Sequence, residues 1–354
     1  MIYKNACIYG KTVDIEVLDG KISYVGKTDK EGFDLKNRKV FAGLTDIHSH
    51  GCMGFDTMDG NFLEEMSIFM AENGVTSWLP TTMTMDMDTI KSVVNAKIPN
   101  SKGTEILGYH LEGPYISSKY KGAQNEKYII PPHINEFEKL DNIKMVTIAP
   151  ELENAFDFIE TCGAVVSIGH TDCDYECAKE AIRLGAKCLT HTFNAMPPIH
   201  HRNPGPIGAA FDENIFVQVI CDGIHIHPSI IRLLYKLFGA ERMILISDSM
   251  RATGLSDGKY EFGGQKITVN NSVARTMDGA IAGSTSTLLN CVKKAIEFGI
   301  PENDAFKMAS QTPCELLDIK KGKIDVGYDA DFIVLDDNYN VIDTVIGGKS
   351  IKKV

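Results

Sequence analysis

His48 and His50 lie two residues apart in Leu44-Thr45-Asp46-Ile47-His48-Ser49-His50, at the end of an apolar run. On a strand, alternate residues share one face, so the two imidazoles can converge on one metal ion. An isolated pair of this kind is equally often two ordinary histidines near a strand end. Other metal-type residues close later apolar runs. Glu112 ends Ile106-Leu107-Gly108-Tyr109-His110-Leu111-Glu112, and His170 ends Val165-Val166-Ser167-Ile168-Gly169-His170. His191 ends Cys188-Leu189-Thr190-His191, and Asp248 ends Met243-Ile244-Leu245-Ile246-Ser247-Asp248. Packing does not readily explain polar, metal-type residues recurring at strand ends.

Such residues need a scaffold that brings distant strand ends together. Strands are expected near 40–48, 75–80, 105–112, 143–150, 164–169, 187–191, 216–222 and 242–248, with helices such as 60–73, 86–96, 151–162, 173–184 and 228–238 between them. Eight strands alternating with helices predict an α/β fold, a (β/α)8 TIM barrel, which gathers chemistry at the C-terminal strand ends. A doubly wound open sheet competes, but the glycine-rich phosphate loop usual after its first strand is missing. Residues 258–280 read as a β-hairpin inserted after the eighth strand, and 284–318 as two final helices.

Both ends of the chain alternate in short strand-like pieces, with a hairpin signal at Asp19-Gly20. Residues 1–41 and 322–354 are therefore expected to form one small β-sandwich domain, with the barrel, 42–321, inserted between its halves. A length of 354 residues suits a barrel of about 250 residues with such additions. The net charge of −11 and the lack of an arginine-lysine run argue against nucleic acid as a partner. With 44% hydrophobic residues and no apolar run near the roughly 20 that a bilayer requires, no membrane role is expected. Nine scattered cysteines read as reduced thiols, and the N-terminus goes straight into strand-like sequence, so a cytoplasmic location is expected.

Seven strings now fall into a recognisable order: Leu111-Glu112-Gly113-Pro114-Tyr115, Gly169-His170-Thr171, His191-Thr192-Phe193-Asn194-Ala195-Met196, Arg202-Asn203-Pro204-Gly205, Asp222-Gly223-Ile224-His225, Ser247-Asp248 and Ala282-Gly283-Ser284. Over nearly its whole length the chain resembles the N-acetylglucosamine-6-phosphate deacetylases of the amidohydrolase superfamily. The resemblance implies that Glu112, His170 and His191 hold the principal metal. One carboxylate and two imidazoles suit Zn2+ or Fe2+ and leave a position open for water. It also implies a second ion at His48 and His50, hence one or two ions per subunit. Asp248 resembles the family's catalytic aspartate, which takes a proton from the attacking water and delivers it to the departing amine nitrogen. A helix N-cap or a simple ligand is the other reading of Asp248.

By the same resemblance the substrate is an amino-sugar phosphate. Asn194, Ala195, Arg202 and His225 match the positions that hold it, Arg202 by its cationic fork. In several relatives that arginine reaches across from the neighbouring subunit, so a homodimer is expected. His200, His201 and Arg251 could add positive charge or be solvated surface, and His227, before Pro228, reads as structural. One position departs from the family: a histidine that bonds the acetyl carbonyl in some relatives is replaced by Gln124. Gln124 can donate an amide hydrogen bond but not a cationic one, so carbonyl polarisation is expected to lean on two metals. Asp46 is either a partner orienting an imidazole or a satisfied polar residue. Ser284 either contacts the sugar or caps a helix. Two other readings stay in view: a related amidohydrolase acting on another N-acyl or cyclic amide, weakened because Ile148-Ala149-Pro150-Glu151 offers no lysine, and a non-catalytic barrel scaffold.

Overall fold

A computed structural model describes residues 1–99 and 101–352. Eight parallel strands, buried over most of their length, form its centre: β1 (Leu44–Ser49), β2 (Val75–Pro80), β3 (Tyr109–Glu112), β4 (Ile143–Ile148), β5 (Val165–Ile168), β6 (Cys188–Leu189), β7 (Phe216–Ile220) and β8 (Met243–Ile246). β3 to β8 make one six-stranded parallel sheet in chain order, and β1 pairs with β2 in another. The two sheets are hydrogen-bonded to each other at both edges. Thr82 N donates to His110 O of β3 at 3.0 Å, and Asp248 N, just past β8, donates to His48 O of β1 at 2.9 Å.

Helices follow most strands, and side-chain caps start several of them. Asp86, Asp174 and Thr287 accept from the N–H of Thr89, Cys177 and Asn290, satisfying donors that the first turn leaves orphaned. The helix Pro228–Arg242 is capped by His227, whose side chain accepts from Ser229 N, in keeping with a structural role. Among the described residues no helix is long and apolar enough to cross a membrane.

The chain ends share a sheet. The strand Phe332–Leu335 pairs antiparallel with Lys39–Ala42, which pairs with Ile2–Ile8 in an eight-stranded sheet. Alternation decides what each face covers. Phe332 and Val334 join Tyr3, Ile15 and Ile22 in a core of the small sheet, while Ile333 and Leu335 pack into the main core.

Several expected elements differ in detail. The run 40–48 is not one strand: Lys39–Ala42 belongs to the small sheet and Leu44–Ser49 to the centre. Gly43 separates them, and a Cβ there would collide with the Thr76 side chain. The insertion is a three-stranded antiparallel meander, Gly258–Phe262, Gln265–Asn270 and Val273–Thr276, because the Asn271-Ser272 turn returns the chain once more. Three helices, Leu288–Glu297, Glu302–Ala309 and Gln311–Leu316, replace the expected final two. The helix Gly205–Asp212, with Pro206 in its first turn, was hidden by its glycines and prolines.

Candidate metal centre

His170, His191 and Asp248 each adopt a left-handed backbone, with φ of 47°, 24° and 47°. Non-glycine residues rarely take this conformation, which costs about 1–3 kcal/mol and is held only where surroundings enforce it. All three lie just beyond the ends of β5, β6 and β8, where the chain turns out of the strand. Glu112 ends β3 itself, and Gly113 follows with φ of 75°, a turn only glycine takes freely.

These residues meet. Glu112 Oε1 lies 3.1 Å from His191 Nε2, 3.3 Å from His170 Nε2 and 3.3 Å from His48 Nε2, and Glu112 Oε2 lies 3.3 Å from His50 Nε2. Asp248 Oδ1 stands 3.3 Å from His50 Nε2 and 3.6 Å from His48 Nε2. Two triads can each offer three ligand atoms to one ion, His48 with His50 and Glu112, and Glu112 with His170 and His191, and they share the Glu112 carboxylate. All six side chains are buried, and all but His48 line the floor of a cavity of about 380 Å³.

The far side of each ring shows why the inner nitrogens suit a metal. His170 Nδ1 faces Tyr120 O at 2.8 Å, His50 Nδ1 faces Thr81 O at 3.2 Å and His48 Nδ1 faces the Gln218 amide oxygen at 3.0 Å. A carbonyl oxygen only accepts, so each Nδ1 carries the proton and each Nε2 turns a lone pair inward. His48 Nε2 is buried without a hydrogen-bond partner. One carboxylate oxygen pair and three imidazole lone pairs turned inward, the one on His48 Nε2 without a hydrogen-bond partner, with His191 Nε2 beside them, fit a divalent cation.

Electrostatics agree. Burial alone would raise the Glu112 carboxyl, but His48 and His170 hold it well below the usual carboxylate range. Asp248 is likewise lowered against burial, by His48 and His50. Burial opposes a charge on His50, yet Asp248 and Glu112 push it up to about 10, and His48 is raised by Glu112 and Asp248. Without a cation, a proton on His50 offsets the carboxylates, and a bound cation would displace it.

Of the residues assigned to substrate, Asn194, Ala195 and His225 line the cavity with Gln124. His225 Nδ1 bonds Asp222 Oδ2 at 2.7 Å; burial opposes its charge, but Asp222 raises its pKa and leaves Nε2 for a ligand. Gln124 lines the cavity, and both ends of its amide are also engaged within the protein. Its Nε2 donates to Glu112 Oε2 at 2.7 Å, and its Oε1 accepts from Thr84 N at 2.7 Å. Here it steadies the carboxylate shared by the triads, and its Nε2 keeps a second hydrogen to donate. Ser284 is also committed: its hydroxyl accepts from Ser286 N, its N–H donates to Asp248 O, and Thr287 is the helix cap. Arg202 does not line the cavity of its own chain; it is exposed, with Nη1 2.7 Å from His201 Nε2. Arg251 is bound to Gly54 O and Asp59.

Three buried polar residues complete the site. Asp46 resolves to a satisfied polar residue: it accepts from Ser247 Oγ at 2.6 Å, joining β1 to the end of β8, and bonds no imidazole. His110 was overlooked although it lies two residues before Glu112, on the same strand face. It bridges Ile47 O and Thr147 Oγ1 beneath the centre. Gln218 was overlooked too, and its signal was a lone amide inside the apolar run Phe216-Val217-Gln218-Val219-Ile220.

Comparison with known proteins matches residues 40–351 to the amidohydrolase family. The N-acetylglucosamine-6-phosphate deacetylase of Bacillus subtilis is 38% identical, over 94% of this chain and 91% of that protein. The crystal structure of the Thermotoga maritima N-acetylglucosamine-6-phosphate deacetylase superposes with a TM-score of 0.92 at 33% identity, over 100% of both chains. A mutant of the Mycobacterium smegmatis enzyme in complex with N-acetyl-D-glucosamine-6-phosphate superposes with a TM-score of 0.91 at 29% identity, over 99% of both chains.

Proposed function

The chain belongs to the amidohydrolase family, among its N-acetylglucosamine-6-phosphate deacetylases, and on that premise we propose that it hydrolyses N-acetylglucosamine 6-phosphate to glucosamine 6-phosphate and acetate. The observation that carries this reading is the Glu112 carboxylate, within 3.3 Å of four imidazole nitrogens and beside Asp248 on the cavity floor. We read the two mutually hydrogen-bonded parallel sheets as one (β/α)8 barrel of residues 42–321. Residues 1–41 and 322–354 then form the small β-sandwich domain.

Glu112, His170 and His191 would hold the principal cation, Zn2+ or Fe2+, and His48 and His50 with Glu112 a second. Bound there, a divalent cation supplies the charge that polarises the amide carbonyl and makes water a stronger acid. Asp248 accepts the proton as water adds to the acetyl carbon, then returns it to nitrogen, because an amine anion does not leave unassisted. Gln124 and Gln218 keep Glu112 and His48 aimed, and His110 secures the backbone before His48. His225, Asn194 and the backbone at Ala195 bind the sugar phosphate. Arg202 completes the phosphate contact from the neighbouring subunit of a homodimer, a reading supported by its absence from its own cavity. Nine cysteines without a disulfide fit the reducing cytoplasm.

The test is elemental analysis of the purified protein alongside acetate release from phosphorylated and unphosphorylated N-acetyl hexosamines, including the galactosamine and mannosamine forms. Metal-dependent release from N-acetylglucosamine 6-phosphate is expected. Metal-loaded protein that binds the sugar phosphate without turnover would favour the scaffold reading.

A further inference from the structure

Gln218 is the polar member of β7, fully buried between β6 and β8. A buried amide costs free energy unless it is hydrogen-bonded, so its partners explain its presence among Phe216, Val217, Val219 and Ile220. Its Oε1 lies 3.0 Å from His48 Nδ1 and 3.4 Å from the backbone N of His191. A backbone N–H can only donate, which makes the atom facing it the amide oxygen and fixes the orientation of the group. The nitrogen end then turns to Met145 Sδ at 3.6 Å, a weak acceptor.

This orientation decides a tautomer. Because an amide oxygen cannot donate, the His48 ring must place its proton on Nδ1. The other nitrogen, buried and without a hydrogen-bond partner, then offers its lone pair 3.3 Å from Glu112 Oε1. One oxygen thus touches both triads, holding the ring of His48 in the first and the backbone of His191 in the second.

We propose that Gln218 is a positioning residue that sets the His48 tautomer and ties the two triads together, so that the His48, His50 and Glu112 group binds a second divalent cation only while this amide oxygen is in place. The proposal rests on the metal-dependent hydrolase reading above. An apolar side chain of the same shape would fill β7 equally well but would leave Nδ1 without an acceptor and free the ring to adopt the opposite tautomer. A carboxylate at this position would keep the acceptor.

The experiment strips the full-length protein with a chelator and titrates it with Zn2+ by calorimetry, comparing the wild type with Gln218→Met and Gln218→Glu. The wild type is expected to take up two equivalents. Gln218→Met should weaken the second equivalent about 10–100-fold and leave the first unchanged, while Gln218→Glu restores it. Gln218→Met that keeps both affinities, or loses both together, overturns the proposal. Should Gln218→Met fail to fold, Gln218→Glu still decides, because loss of its second equivalent would refute an acceptor role. A wild-type chain that takes up one equivalent or none also overturns it. Acetate release by that same chain separates this outcome from failure of the hydrolase reading.

Discussion

Asp248 Oδ1 stands 3.3 Å from His50 Nε2, so the end of β8 and the end of β1 present a carboxylate and an imidazole to the same point. The contact leaves the aspartate at the rim of the cluster, beside the triads rather than inside them. That position suits a group that exchanges a proton with substrate. Asp248→Asn should therefore keep its metal but lose about 10²–10⁴-fold in kcat. Elemental analysis paired with acetate-release kinetics checks this, and an unchanged kcat would reject the role.

Arg202 is exposed on its own chain and absent from its own cavity. Arg202→Ala should raise KM for N-acetylglucosamine 6-phosphate at least tenfold, the loss of about 1.4 kcal/mol of a charge-assisted contact, and leave the unphosphorylated sugar nearly unaffected. Mixing Arg202→Ala with Asp248→Asn subunits should restore part of the activity if the arginine serves a neighbour. Equal losses on both substrates would contradict a phosphate contact.

With His225 as the proposed phosphate contact, the His225–Asp222 pair predicts phosphate binding that depends on pH. Burial opposes the charged ring, but Asp222 raises its pKa above the ordinary histidine value, so the imidazolium persists to higher pH than a free histidine's. Raised in the folded state, this group contributes stability in full below the ordinary value of about 6.5, and that contribution fades as pH rises through the raised one. Asp222 is the mirror case. Burial would raise it, His225 lowers it, and its contribution is lost as pH falls through the lowered value. KM for the phosphorylated sugar should climb on the alkaline side, and Asp222→Asn should move that rise to lower pH. A pH-independent KM would remove His225 from phosphate binding.

Lys321 joins the small sheet to the centre. Its Nζ lies 2.7 Å from Asp331, 2.6 Å from Glu105 and 2.9 Å from Asp329. The three acids resemble a cation site, and the ammonium already fills it. Lys321→Met leaves the buried Asp331 uncompensated, an expected loss of about 3–5 kcal/mol. Denaturant unfolding measures it, and adding Asp331→Asn should recover part of the loss. An unchanged midpoint would show that the cluster contributes nothing.

Much of the site was legible because its signals are local. Glu112, His170, His191 and Asp248 each interrupt an apolar run at its end, and strand periodicity put His48 and His50 on one face. The partners of Gln124 and Ser284 were not legible for a physical reason: what an amide or hydroxyl can still offer a ligand depends on which backbone groups nearby already claim it. Thr84 N and Ser286 N make those claims, and neither is visible from the motif. Gln218 and His110 went unnoticed because a single polar residue in a buried strand says nothing of its partner across the fold.

The amino-acid order alone determined the alternation of strand and helix, the shared sheet of the two chain ends and the identity of the metal-type residues, since each follows from hydrophobic period and side-chain chemistry. Only the tertiary structure decided that one carboxylate serves both triads, that Gln218 fixes the His48 tautomer, and that Gln124 steadies Glu112. The first two are contacts between groups distant in the chain, set by how parallel strands align in register, and the third depends on how the loop after β3 folds back on it; both rest on packing that no local pattern encodes.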